Sequence, residues 1–347
     1  ERIQSWNVGL DFGAFNNRLQ GQLDYFNRTT RDMVGPSAPK PFTIGAGLPQ
    51  VNNATLVSKG WEAELRWRDN IGKVNYGARL VLSDDIQTVT EYNNPTGSLS
   101  TWYSGKRVGE IWGYTTVGIA KSNQEMTEHL KENKPTWGSN WQAGDIMYKA
   151  LNGDKTVSDG ASTLDNHGDL GILGYNVPRY KFGLNLDASW NGIDVSVFLQ
   201  GVGHRDWFDS SPYSVGATSA GQWQAAGFKE HWDFFRPEGD PLGANLNAYL
   251  PRPLFSAGGK NMQTQSRYVV NAAYLRIKNI QLGYTLPASL SKKIGISRMR
   301  VYTSADNLVT FTKLPKIFDP EATGGDWGPG KIYPLQRTIS FGLNVNI

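Results

Sequence analysis

Nine segments of this chain alternate apolar and polar residues with a period of two, and the connections between them alternate as well, short then long, throughout. The period marks strands with one apolar and one polar face. The segments lie near 5–13, 19–27, 60–69, 74–83, 180–190, 193–201, 273–286, 298–305 and 337–347. Between them, "FNNR", "NIGK", Asn191-Gly192 and "PASLSKKIGIS" are short, and the stretches near 28–59, 84–179, 202–272 and 306–336 are long. Asn-Gly is the strongest two-residue hairpin signal. Stretches of this length far exceed ordinary connections. In an up-and-down meander every second connection falls at the same end, so all the long loops share one rim. That is the anatomy of an antiparallel transmembrane β-barrel with short turns on one side and long extracellular loops on the other.

The seventh segment changes parity: Leu275 and Ile277 are odd, whereas Ile280, Leu282, Tyr284 and Leu286 are even. A bulge near Lys278 and Asn279 would restore one continuous face. In the third segment Trp61, Ala63, Leu65 and Trp67 share one face, and Glu62, Glu64, Arg66 and Arg68 share the other. The alternation alone also suits a soluble sheet with a solvated outer face. Strands of nine or more residues with Trp6, Trp61, Trp67 and Trp190 near their ends fit a membrane span with aromatic girdles better. The mixed charges then belong to a hydrated lumen. Single-chain bacterial barrels have an even number of strands, and open ladder edges in lipid are costly. Nine strands therefore lead us to expect the C-terminal portion of a longer chain, with its partner strands upstream of Glu1.

Composition narrows the field. No apolar run approaches the roughly 18 residues of a helical span, and net charge +4 with dispersed basic residues gives no nucleic-acid footprint. The 39 Gly, 12 Trp, 15 Tyr and 14 Phe favour β structure with many turns. No cysteine is present for disulfides or thiolate chemistry. No signal sequence stands at Glu1, which reads as a mature chain or a fragment.

The run "NAAYLRIKNIQLGYTLPASLSKKIGISRMRVYTSADNLVTFT", followed by "FDPE" and "YPLQRTISFGLNVNI", resembles the C-terminal strands of the SusC/RagA family of TonB-dependent outer-membrane transporters of Bacteroidetes. Upstream, "GEIWGYTTVGIA", "GDIMYKALNGD" and "NHGDLGILGYNVPRYKFGLNLDASWNGIDVSVFLQGVG" continue the resemblance in the family's order. It implies an all-β barrel of about 22 strands, of which this chain supplies the last nine, with Ile347 at the periplasmic end. It also implies a plug domain and TonB box outside this chain and energy coupling through TonB-ExbB-ExbD. The implied partner is a SusD-like surface lipoprotein, in a transporter–lipoprotein pair that can itself dimerise, and the implied cargo is oligosaccharide or peptide. The sequence departs from the family in ending on Ile347 rather than an aromatic.

Catalytic chemistry is thinly represented, and the reading is of a non-enzyme without cofactor. His129, His167, His204 and His231 show no metal-ligand spacing. No Gly-x-Ser-x-Gly elbow occurs. "GDWGPGKI" (325–332) imitates a phosphate loop but has Ile332 in place of the magnesium-binding hydroxyl. Glu62 and Glu64 could serve as an acid–base pair, but Arg66 and Arg68 beside them point to charge balance. In "ALNGDKTVSDG", where relatives carry a calcium-like loop, Ala150 and Lys155 replace the first ligand and the sharp-turn glycine, leaving Asn152, Asp154 and Asp159. The binding candidates lie in the long loops: Trp102, Tyr103, Trp137, Trp141, Asp206, Trp207, Trp232, Asp233 and Arg236, with Tyr213 nearby. Ring faces beside carboxylates and guanidinium groups suit sugars or peptides. A secreted β-rich glycan-binding or glycan-cleaving protein remains the alternative from another class.

Overall fold

In the computed structural model the nine segments form one antiparallel sheet in which each strand pairs with its neighbours in the chain. The strands are β1 (Arg2–Ala14), β2 (Leu19–Pro36), β3 (Gln50–Ile71), β4 (Val74–Glu91), β5 (Arg179–Trp190), β6 (Ile193–His204), β7 (Tyr274–Thr285), β8 (Arg298–Thr312) and β9 (Thr338–Asn346). The structure describes residues 1–347 except 39–42, 44, 48, 211–228, 255–257, 292, 294 and 324–334. Tyr213 and the phosphate-loop imitation at 325–332 lie outside the described residues.

The short turns follow from their residues. Asn191 and Gly192 between β5 and β6 both have positive φ (47° and 88°), as a type I′ hairpin requires. A side chain at Gly192 would also collide with the carbonyl of Thr285, 2.6 Å from where a Cβ would stand. At β7 the pairing to β6 and to β8 shifts register between Ile277 and Asn279. Lys278 is thus the bulge residue, and Asn307 on the facing strand takes a left-handed conformation. The bulge returns Ile280 and Leu282 to the face of Leu275 and Ile277.

Directly paired residues of an antiparallel sheet project to the same side, so the register shows which side chains share a face. One cross-strand row runs through all nine strands as Ala14, Leu19, Trp67, Ala78, Leu186, Val197, Ile280, Ala305 and Ile339. Every member is apolar. None of the described residues covers this face on β9, where Ile339 is 61% exposed, Phe341 84% and Leu343 54%. The opposite face is charged. Arg79 forks onto Glu64 at 2.7 and 2.8 Å, Arg68 lies 3.9 Å from Asp187, and Arg300 bonds Asp194 at 2.9 Å. Among the described residues no helix is long and apolar enough to cross a membrane.

Strands β2, β3 and β4 correct the expected boundaries, because they run on through parts of the stretches read as loops at 28–59 and 84–179. β3 has 22 residues, against about 9–11 needed to cross a bilayer. The apolar row that pairs Tyr25 with Trp61 is followed by one that pairs Asn27 with Lys59. Beyond that row Ala54, Thr55 and Val89 are buried, the division into one apolar and one polar face is not kept, and the strand continues without its sequence signature. β8 likewise runs to Thr312. The free edge left where β5 starts below the top of β4 is closed by the next loop: Val89 donates to Lys106 O at 2.8 Å and accepts from Gly105 N at 2.7 Å, and Val108 N donates to Gln87 O at 2.9 Å. Edge closure of this kind removes a pairing site for foreign strands.

The buried core of the chain lies in the loops. Tyr114, Ile119, Ile146, Tyr148 and Val157 from the β4–β5 connection pack with Phe235, Ala248, Leu250 and Tyr268 from the β6–β7 connection. Short ladders support them, Glu110–Tyr114 with Leu170–Tyr175 and Thr116–Ile119 with Ile146–Tyr148. A helix at Asn123–His129 is capped by Ser122, whose hydroxyl accepts from Glu125 N at 3.1 Å. Each large side chain fully buried here contributes about 1.5–3 kcal/mol.

If the exposed apolar row meets lipid, Leu343→Arg should destabilise the folded barrel of the full-length protein by about 2–4 kcal/mol near the bilayer midplane. Ser340→Arg, on the polar face opposite Ser304, should have little effect. Urea titrations of both variants in lipid vesicles, read by tryptophan fluorescence, measure this, and equal losses would reverse the face assignment.

Candidate functional site

Asp145 organises the union of the two long loops. It is completely buried, and a buried carboxylate must be paired and hydrogen-bonded to be tolerated. Arg252 reaches it at 2.8 and 3.1 Å, Lys260 at 2.8 Å, the Asn261 amide at 3.0 Å and the Gln142 backbone N–H at 2.9 Å. Asn261 also accepts from Ile146 N at 2.9 Å. A carboxylate from the first loop is thus held by three side chains of the second.

Beside this node opens a cleft of about 920 Å³ whose lining includes Trp137, Trp141, Gln142, Arg252, Lys260 and Gln263. The structure brings Trp137 and Trp141 together here. Trp137 packs on Tyr114 at 4.7 Å and edge-on to Tyr148 at 5.2 Å, and its indole N–H donates to Lys260 O at 3.3 Å. Lys260 Nζ sits 4.9 Å from the centre of the Trp141 ring, a cation–π distance. Burial pushes the phenols of Tyr148 and Tyr268 well above their ordinary range. Both remain neutral donors, to Lys260 O at 3.2 Å and Tyr249 O at 3.1 Å.

The other candidates are dispersed. Tyr103 and Trp207 are corrections, since both rings are buried and closed to a ligand. Tyr103 donates to Glu110, with its phenol also raised by burial, and Trp207 packs on Phe318 at 4.9 Å in a small cluster with Ala272 and Leu314. Asp206 accepts from Tyr175 N at 2.9 Å and lies 3.1 Å from His204. Asp233 accepts from the Asn245 amide at 2.9 Å, and Arg236 donates to Gly243 O and Trp232 O at 2.7 and 2.8 Å. These two shape their own loop. Trp232 is exposed and stacked near Phe234, and Trp102 is half-buried against Tyr92 at 5.8 Å. Glu62, Glu64, Arg66 and Arg68 stand together on the polar face of β3, where Glu64 is taken up by Arg79.

The calcium candidates are not gathered. Asp154 folds onto Thr156, accepting from its N–H and hydroxyl at 2.8 Å. Asn152 bonds Asp154, and Asp159 accepts from Ser162 at 2.8 Å. Among the described residues no group of three His, Asp or Glu could hold a metal ion. Lys155 nevertheless adopts the left-handed turn (φ 66°), and its ammonium reaches Glu132 at 2.8 Å. The residue that organises this loop is Asp169, fully buried and accepting from Leu151 N at 2.6 Å and Ser158 N at 2.9 Å. His129 is also structural: its Nε2 donates to Tyr148 O at 2.7 Å, and burial lowers its pKa.

A second charged cluster ties the last loop to the polar face. Arg276, 2% exposed, pairs with Asp319 at 2.7 Å and Glu321 at 2.9 Å, and Lys278 reaches Glu321 at 2.8 Å. Arg276 and Lys278, two residues apart on one face of β7, thus meet the same "FDPE" segment.

No protein-family model matches the chain. Over 99% of its length it is 25% identical to TonB-dependent receptor P3 of Formosa agariphila and 22% identical to TonB-dependent receptor SusC of Bacteroides thetaiotaomicron. It covers 34% and 32% of those proteins, so it spans about a third of the length of the curated relatives it matches. In three dimensions it matches a chain of the RagAB peptide transporter with a TM-score of 0.72 at 24% identity, over 99% of this chain and 35% of that one. That likeness is one of fold.

Removing the buried carboxylate should unlock the loops. Asp145→Ala leaves Arg252 and Lys260 facing each other and should cost about 3–5 kcal/mol locally. Limited proteolysis of the full-length protein should then show new cuts near 120–150 and 250–265. Lys131→Ala, which loses an exposed pair with Glu128, should leave the digest unchanged.

Proposed function

We propose that this chain, which resembles SusC-type TonB-dependent receptors along its whole length, forms part of the wall and outer rim of an outer-membrane nutrient importer. The observation that carries this reading is the uninterrupted apolar row across nine strands, open on its outward side, together with long connections gathered at one rim. A soluble sheet would bury such a row, whereas a lipid-facing wall requires it.

In this reading strands outside the chain close the barrel, and the charged face of β3 to β9 lines a wet lumen. A plug outside the chain occupies that lumen and is moved through TonB-ExbB-ExbD. The loop unit built on Asp145 stands at the outer mouth, where it meets cargo and a SusD-like lipoprotein lid. The cargo is oligosaccharide or peptide. This chain contributes surface and shape to uptake and no bond-making chemistry.

The whole protein purified from membranes should migrate as a heat-modifiable band, compact before boiling and slower after it. A water-soluble monomer with unshifted mobility would instead support a secreted glycan-binding or glycan-cleaving protein. A pull-down through the same full-length protein should recover a surface lipoprotein.

A further inference from the structure

The cleft beside Asp145 carries an uneven charge. Two cations, Arg252 and Lys260, share one buried carboxylate, and among the described residues no Asp or Glu lines the cleft. Arg252 places Nε and Nη2 on Asp145, and its Nη1 has no partner among the described residues. The side chain is 21% exposed in the cleft wall. A guanidinium whose position is already fixed by a buried carboxylate loses little freedom on binding, which favours recognition of an anion.

The rest of the lining suits a ligand with a C–H face and many hydroxyls. Trp141 is half-buried at the cleft and offers ring surface for stacking. The side chains of Ser139, Asn140 and Gln142 are exposed there and make no side-chain hydrogen bond among the described residues. Asn140 and Gly138 both take positive φ (53° and 69°), which turns this segment tightly around the opening. The volume falls within the range of about 300–1,000 Å³ that encloses whole small ligands.

We propose that this cleft binds an acidic sugar unit of an oligosaccharide, a uronate or a sulfated residue. Its anionic group meets Arg252, its ring face meets Trp141, and its hydroxyls meet Ser139, Asn140 and Gln142. This names the cargo class within the importer reading above and rests on it. An acidic peptide would satisfy Arg252 but would leave the row of free hydroxyl and amide groups with fewer partners.

The test uses the full-length protein in detergent, first checked for the heat-modifiable band, and isothermal titration with tetragalacturonate, neutral galactotetraose, 6-sulfated galactotetraose and tetraglutamate. Tetragalacturonate or the sulfated sugar should bind at least tenfold more tightly than galactotetraose, and the tighter of the two identifies the anionic group. Arg252→Gln should remove that preference, and Arg252→Lys should keep part of it. Gln142→Ala, whose side chain holds nothing in the fold, should weaken the acidic sugars severalfold without altering the proteolytic digest. Equal affinity for acidic and neutral sugars, tighter binding of tetraglutamate, or no binding by a heat-modifiable protein would overturn the inference. A soluble, unshifted protein would overturn the importer reading itself.

Discussion

Everything in this molecule depends on cross-strand register. A slip of one residue in any of the nine strands would move its apolar set to the other side of the sheet, and the row from Ala14 to Ile339 would break. The devices that hold register are local: left-handed residues at Asn191 and Gly192, the bulge at Lys278 matched by Asn307, and rings laid over glycines on the facing strand. Phe12 lies across Gly21 and Tyr302 across Gly342, so close that a Cβ at either glycine would stand 2.1 or 2.2 Å from the ring. Such pairs fix two strands against each other by shape alone.

The chain separates two kinds of packing that ordinary domains combine. Its sheet has ordered hydrogen-bond ladders and an apolar surface without a partner among the described residues. Its loops have a conventional interior of Tyr148, Ile146, Phe235 and Tyr268 around a paired carboxylate. The sheet therefore takes its stability from its hydrogen-bond ladders, whereas the loop unit takes its own from burial and from the Asp145 network.

The sheet was legible in the sequence because apolar and polar residues alternate along its nine strands, one set to each face. The parity change at Lys278 even announced the bulge. Legibility stopped where that alternation stopped: past Asn27 and Lys59 the two faces are no longer kept apart, and Ala54, Thr55 and Val89 are buried, so β2, β3 and β4 continue through residues that look like loop. The loop site was partly readable. Trp137 and Trp141 carried a compositional signal, but Asp145, Arg252, Lys260 and Asn261 had none, since their meeting joins segments separated by 107 to 116 residues. Burial of Tyr103 and Trp207 was equally invisible, because an aromatic residue in a loop has the same letter whether it faces a ligand or a neighbour.

The length of that separation also bears on assembly. Asp145 belongs to the loop before β5 and Arg252 to the loop after β6, so the whole β5–β6 hairpin lies between the two halves of the network. Until the second loop is in place, the first has its carboxylate unpaired and its aromatic residues uncovered. The interval in which the two halves are apart is when this part of the protein is most open to proteases and to misassembly.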